Sequence, residues 1–270
     1  MIYELGILGA GNMAEAIARG VLTASVFTPN QIIASDVSEA RRELFSSALG
    51  IRAIVSSDDV ARQSKVILLS VKPQQMADVL AGLGRVMDER TLVISIAAGI
   101  SASFIETNLG HGKPWRVIRT MPNTPMLVGQ GMVALSAGTH ATPEDLKRAR
   151  TIFESAASVI QVPEAQIDAV TAVSGSGPAY FFLLVEQMIQ AGVELGLSEA
   201  DARLLASQTA LGSATMLMTS TDTPQELRRK VTSPGGTTHA AVTTMQSKGV
   251  PEAIIEALKA AAARSRELGK

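Results

Sequence analysis

The sequence predicts an α/β chain in two parts: a doubly wound parallel sheet over residues 1–162, followed by an all-helical region over 163–270. Three observations carry this expectation. Short β-branched runs alternate with helical patterns through the first half, a glycine-rich turn follows the first of those runs, and no convincing strand appears after Val162-Pro163. Strand, helix, strand in that rhythm means parallel βαβ units with helices on both faces of the sheet.

The strand-like runs are Ile2–Leu8, Ile32–Ser35, Val66–Val71, Leu92–Ile96 and Val117–Arg119. Helical stretches lie between them, at about Met13 to Ala24, Glu39 to Leu49, Gln74 to Leu83 and Ser101 to Leu109. Met132–Leu135 and Ser158–Gln161 flank a further helix that starts after Thr142-Pro143-Glu144, where Thr suits the N-cap and Pro the first helical position. Beyond Val162 helices are expected at about Ala165–Val173, Pro178–Leu195, Glu199–Thr219, Pro224–Val231, Thr237–Ser247 and Pro251–Leu268. Ser198-Glu199-Ala200-Asp201 opens one of these, and Thr223-Pro224-Gln225-Glu226 has the spacing of a capping box.

Composition narrows the function. Hydrophobic residues make up 46% of the 270 but aromatics only 3%, so the core is built from Ala, Val, Ile, Leu and Met. The formal charge is -1 with no basic block, so nothing would drive counterion release from a nucleic acid. There is no cysteine, which excludes disulfides and thiolate metal sites and agrees with a cytoplasmic location. The start, MIYELGILGAGNM, lacks a basic n-region and reads as a strand, not as a signal peptide. Apolar stretches such as Ala179 to Val185 stop at Glu186, short of a membrane span.

Gly9-Ala10-Gly11-Asn12-Met13-Ala14 follows the first strand and opens an amphipathic helix, the context of a dinucleotide-binding fingerprint. Gly9 allows the tight turn, Gly11 lets the backbone approach a pyrophosphate, and Ala14 keeps helix and strand close. The positive helix end would then receive the phosphates. The second strand ends at Ser35-Asp36, where a carboxylate can bond the adenosine ribose or, alternatively, cap the next helix. Such a carboxylate repels a 2′-phosphate, and Arg41 and Arg42 stand close enough in sequence to offset it. Ser70-Val71-Lys72-Pro73 and Ile96-Ala97-Ala98-Gly99 end two later strands, and their small residues leave room for a ribose or nicotinamide.

In the second half three polar segments stand out: Met121 to Pro125, Ser174 to Tyr180, and Val231 to Thr238. In the last, Ser and Thr hydroxyls with successive N–H groups precede a helix, which makes either a carboxylate cradle or an ordinary cap. Of the histidines, His239 adjoins this segment at the first turn of a helix, and His111 and His140 lie in loop-like sequence. Met188, Met216 and Met218 suit helix packing.

At these residues the chain resembles the pyrroline-5-carboxylate reductases, over nearly all of its length. The shared blocks are GAGNM, VKPQ, SIAAG, RxMPNTP, DAVTAVSGSGPAYFF and ELRRKVTSPGGTTHAA. The resemblance implies a Rossmann domain followed by a helical dimerisation domain, with a homodimer, or a ring of such dimers, as the assembly. It implies reduction of the cyclic imine of 1-pyrroline-5-carboxylate to L-proline by NADPH, with NADH use also expected because of Asp36, where many relatives carry Ser or Asn. Ser233, Gly236, Thr237 and Thr238 would hold the substrate, and Thr238 would hydrogen-bond its ring nitrogen as the catalytic residue. Gly9, Ala10, Gly11, Asn12, Met13, Ser35, Asp36, Ser57, Ser70, Val71, Lys72, Pro73, Ile96, Ala97 and Ala98 would line the cofactor. A β-hydroxyacid dehydrogenase shares the general plan but uses a helical lysine, and Ser198–Thr219 contains none. A dinucleotide sensor without turnover would not need the intact TSPGGTT segment.

Overall fold

The structure, a computed structural model, describes residues 2–110 and 112–268; His111 lies outside them. Eight strands form one sheet: β1 (Tyr3–Leu8), β2 (Ile32–Ser35), β3 (Arg52–Ile54), β4 (Ser64–Leu69), β5 (Leu92–Ser95), β6 (Arg116–Pro122), β7 (Gly131–Ala137) and β8 (Ala157–Gln161). Their order is β3-β2-β1-β4-β5-β6-β7-β8, and every neighbouring pair is parallel except β6 and β7. The reversal comes from the connection Asn123–Gln130, which is too short to hold a crossover helix, so β7 returns antiparallel.

The first six helices are α1 (Asn12–Thr23), α2 (Glu39–Leu49), α3 (Ser57–Gln63), α4 (Met76–Val86), α5 (Ala102–Leu109) and α6 (Pro143–Phe153). Helices α1, α2 and α6 pack on one face and α3, α4 and α5 on the other. Side chains along β4 alternate between these two cores: Val66 and Leu68 join Ile7, Ile17 and Phe45, whereas Ile67 and Leu69 join Leu8, Leu80 and Trp115. Burial on both faces is why these strands read as unbroken apolar runs. The sequence reading lacks β3 and α3, because a three-residue strand beginning with Arg52 and a helix written SDDVARQ carry little periodic signal. Ser56 holds α3 in place by accepting a hydrogen bond from the Asp59 backbone (3.2 Å).

By packing, the described residues up to Ser176 and those from Ala261 onward form one compact unit, and 177–260 form another. The change of sequence pattern at Val162 is thus a different landmark from the division in packing. Between the two lie a 3-10 turn at Glu164–Gln166, α7 (Ile167–Val170) and a π turn at Thr171–Gly175, where the sequence pattern predicts a single helix Ala165–Val173. Ile167 and Ala172 are buried, and Asp168 accepts a hydrogen bond from Ser265 (2.7 Å) in the returning C-terminal turn.

The second unit contains α8 (Gly177–Glu194), α9 (Glu199–Thr219), α10 (Pro224–Lys230), α11 (Thr237–Ser247) and most of α12 (Val250–Leu268). Ser198 caps α9 through the Asp201 N–H (3.1 Å), and Thr223 and Glu226 form the expected reciprocal box on α10. Small residues let α8 and α9 approach closely: a side chain on Gly192 would meet Ala202 Cβ at 3.0 Å. The larger apolar residues Phe181, Phe182, Leu204, Leu211 and Met218 stay exposed on the single chain. By length and composition alone, Glu164–Glu194 is apolar enough to cross a membrane, although the π turn interrupts its first half.

Candidate functional site

The sheet order places the loops after β1, β4 and β5 side by side at the carboxyl ends of their strands, with the topological switch between β1 and β4. Ligands of open parallel sheets bind in this crevice. A staircase of backbone bonds laces the loops together. Gly9 N–H donates to Ser35 O (2.8 Å), Ser70 N–H to Leu8 O (2.8 Å), and Ile96 N–H to Leu69 O (3.1 Å).

Gly9 has φ of 91°, and a Cβ there would lie 2.6 Å from Ser70 O, so both conformation and space demand glycine. Gly11 differs: a Cβ would meet nothing within 4 Å. Its value is the open approach it leaves in front of α1. No side chain caps α1, and the first helical bond is Glu15 N–H to Gly11 O (2.9 Å), so Asn12, Met13 and Ala14 present N–H groups at the helix start. This end fits a pyrophosphate.

Asp36 sits at the end of β2 and does not cap α2, whose N-cap position is Ser38. Its carboxylate accepts hydrogen bonds from Ala10 N–H (2.7 Å) and Ser38 N–H (2.8 Å), joining the glycine loop to the β2–α2 loop. Both arginines expected to offset its charge are engaged. Arg41 donates to Ala10 O and to Glu15 (2.9 Å), and Arg42 donates to the carbonyls of Asp36 and Val37 (2.9 Å each). Glu15 also pairs with Arg19 (2.9 Å). Burial pushes the Glu15 carboxyl up, but the Arg41 and Arg19 guanidiniums outweigh this and hold it below the usual glutamate range. Sequence reading missed Glu15; its signal is an acid in the first turn of the fingerprint helix. Ser35 and Ser57 share a hydroxyl bond (3.0 Å), which brings the start of α3 to the same edge.

On the other side of the switch, Ser70 to Pro73 lead into a 3-10 turn at Pro73–Gln75, and Val71 is half-buried. Ile96, Ala97 and Ala98 continue β5 toward Gly99, with Ala97 N–H donating to Ser95 Oγ (3.3 Å). Asn123, buried at the end of β6, donates to the Ser174 carbonyl (3.2 Å) and accepts from Met132 N–H (2.8 Å). It ties the MPNTP segment to the SGSG segment, a structural role that neither segment announces alone.

In the second unit Ser233, Gly236, Thr237 and Thr238 come together at the start of α11. Gly235 has φ of 71°, Gly236 N–H donates to Ser233 O (3.0 Å), and a Cβ on Gly236 would lie 2.6 Å from Ser233 Oγ. Gly236 takes the N-cap position and has no side chain to satisfy the helix; Ala240 N–H to Gly236 O (3.1 Å) is the first helical bond. The N–H groups of Thr237, Thr238 and His239 therefore open onto a turn edged by hydroxyls, an arrangement suited to an anionic group. His239 and His140 are exposed.

A parallel sheet with a glycine turn at its switch point and an acid on the neighbouring strand end makes this a Rossmann-type, dinucleotide-binding oxidoreductase. Comparison with known proteins agrees: residues 4–99 match the family described as NADP oxidoreductase coenzyme F420-dependent, and residues 164–268 match pyrroline-5-carboxylate reductase dimerisation. A pyrroline-5-carboxylate reductase of Synechocystis sp. is 43% identical over all of both chains. The solved enzyme from Coxiella burnetii has a TM-score of 0.91 at 37% identity, covering 100% of each chain. The Plasmodium falciparum pyrroline carboxylate reductase, solved with NADP bound, has a TM-score of 0.89 at 29% identity, covering 99% of this chain and 98% of its own. The chain belongs to the pyrroline-5-carboxylate reductase family. Its helical region is accordingly one that self-associates, and it is in this region that large apolar residues of α8 and α9 are exposed on the single chain.

Proposed function

We propose that the protein reduces 1-pyrroline-5-carboxylate to L-proline, with residues 1–162 holding NAD(P)H and 163–270 supplying the substrate site and the dimer contact. The observation that carries this reading is the uncapped start of α11, where free N–H groups stand beside the hydroxyl-bearing residues Ser233, Thr237 and Thr238, a chemistry suited to a carboxylate. The bound reduced nicotinamide supplies the hydride. A protonated cyclic imine is already electrophilic, so the protein's task is orientation, which can lower a barrier by about 7–11 kcal/mol at best. The cradle N–H groups and Ser233 hold the carboxylate, while Thr238 hydrogen-bonds the ring nitrogen. An unperturbed hydroxyl is a poor acid, so the proton comes ultimately from solvent through Thr238.

Gly9 to Met13 receive the pyrophosphate, Ser35, Asp36 and Ser57 face the adenosine side, and Ser70 to Pro73 with Ile96 to Ala98 face the nicotinamide side. Asp36 supports use of NADH beside NADPH. The active unit is a homodimer, or a ring of such dimers, in the cytoplasm, with the crevice of one subunit completed by the cradle of the other. The test is oxidation of NADPH and of NADH with and without 1-pyrroline-5-carboxylate, followed by reduction of NADP+ and NAD+ with a panel of hydroxyacids. Turnover that needs the imine supports the reading; turnover with a hydroxyacid alone, or none with either, refutes it.

A further inference from the structure

We infer that Glu164 and Asp168 are positioning residues that brace the Ile96–Gly99 turn from two sides and so set the nicotinamide end of the bound cofactor. The inference rests on the proposed reading of the crevice. Asp36 and the β2 end define the adenosine side of the switch point, so the β5 end, on the opposite side, receives the redox end of a dinucleotide.

Gly99 has φ of 78°, and a Cβ added to it would lie 3.1 Å from both the Leu268 carbonyl carbon and Leu268 Cβ. The turn is therefore pressed against the last turn of α12. Asp168 fixes that helix end: Oδ1 accepts from Ser265 Oγ (2.7 Å), and Oδ2 lies 3.8 Å from Arg266 Nε. On the other flank, Glu164 Oε1 accepts from Ala102 N–H (2.8 Å), the first N–H of α5, directly after the turn. The same oxygen accepts from Arg119 Nη1 (3.1 Å). Arg119 is buried, its Nε has no hydrogen-bond partner among the described residues, and Glu164 is the carboxylate that pairs with it. Its neighbour Thr120 donates to Ser95 O (2.9 Å), at the strand end that leads into the turn. Glu164 thus ties down the start of α5 and, through Arg119 on β6, the strand beside β5, while Asp168 steadies the helix end that covers the turn. Losing the charged partner of a buried cation is costly, so Arg119 depends on Glu164 for its place.

The test compares ligands that do and do not carry the nicotinamide. ADP-ribose and its 2′-phosphate contain the adenosine, the pyrophosphate and the second ribose but no nicotinamide, whereas NADH and NADPH carry it. Glu164→Ala should weaken NADH or NADPH binding, measured by nucleotide fluorescence, by about tenfold while ADP-ribose affinity changes less than about twofold. Glu164→Gln keeps an acceptor for Ala102 and should fall between Ala and wild type. Asp168→Asn and Ser265→Ala, which leave Arg119 paired, should show the same selective loss in smaller measure and remain informative if Glu164→Ala does not fold. Equal losses for both ligand types, or none for either, overturn the inference, as does wild-type protein that binds neither. Wild-type binding without turnover of the imine would instead overturn the proposed substrate and leave the brace standing.

Discussion

Replacing Asp36 by Ser removes one negative charge from the crevice edge and two acceptors from its loops. The acceptors serve Ala10 N–H at 2.7 Å and Ser38 N–H at 2.8 Å. Their loss loosens the glycine turn, at about 1.5–3 kcal/mol per charge-assisted bond where solvent does not substitute, and it weakens NADH and NADPH alike. The charge acts differently. Against a 2′-phosphate at contact range it is worth about 1–4 kcal/mol, depending on the local dielectric. Arg41 and Arg42, both tied to these same loops, pull the value toward the lower end. The NADPH-to-NADH ratio of kcat/KM should therefore rise by about five- to tenfold in Asp36→Ser, even as both values fall. Asp36→Asn keeps the shape and a carbonyl acceptor but loses the charge, so its ratio should rise equally with a smaller fall in each. The assay is initial-rate kinetics with both cofactors at saturating 1-pyrroline-5-carboxylate. Two unchanged ratios, with raised KM values, would show that Asp36 only ties the loops.

Thr238→Val keeps volume and removes the hydroxyl; kcat/KM should fall by about tenfold or more, at least about 1.4 kcal/mol, with dinucleotide affinity nearly intact. Near wild-type kinetics would take Thr238 out of the mechanism. The stabilising contribution of Glu15 is fully present above the ordinary glutamate pKa of about 4.3 and is lost as pH falls through its lowered folded value. The melting-temperature gap between wild type and Glu15→Gln should thus narrow below about pH 4, and parallel curves through that range would contradict the pairing with Arg41. Variants damaged separately at Gly11 and Thr238, denatured together and refolded, should regain activity in mixed dimers, because one hybrid site receives both lesions and the other neither. A mixture that stays inactive would mean that each site is built within one chain.

The sheet was legible where its residues are buried on both faces: Val66–Leu69 and Leu92–Ile94 can be little else than interior strands. Residues 52–63 were not, since β3 is half-exposed and α3 buries only Val60 and Ala61. The antiparallel return of β7 depends on the length of a connection, which composition does not display. Local turn geometry was legible in the same way. The glycine turn and the cradle before α11 draw their meaning from residues within a few positions of one another. Glu15 and Arg41, or Glu164 and Arg119, acquire theirs only when the fold brings distant segments together, and a salt bridge between distant residues leaves no periodic trace.

The helices of the second unit obey yet another logic. An amphipathic surface helix shows one apolar stripe, but α9 spreads Leu204, Leu205, Leu211, Leu217 and Met218 around an exterior left open in the single chain, while the residues it buries are Ala202 and Ala206. Small side chains face its neighbour α8, and large ones face outward. That inversion is wasteful for a monomer and efficient for a dimer, in which an identical surface supplies the missing packing. Each large apolar side chain that passes from exposed to fully buried contributes about 1.5–3 kcal/mol. A handful therefore offsets the association cost of about 4–15 kcal/mol. The cradle at Ser233–Thr238 belongs to the same helical unit, at the start of α11; if the site is shared between subunits as proposed, stability and turnover should rise together with protein concentration until the dimer is saturated.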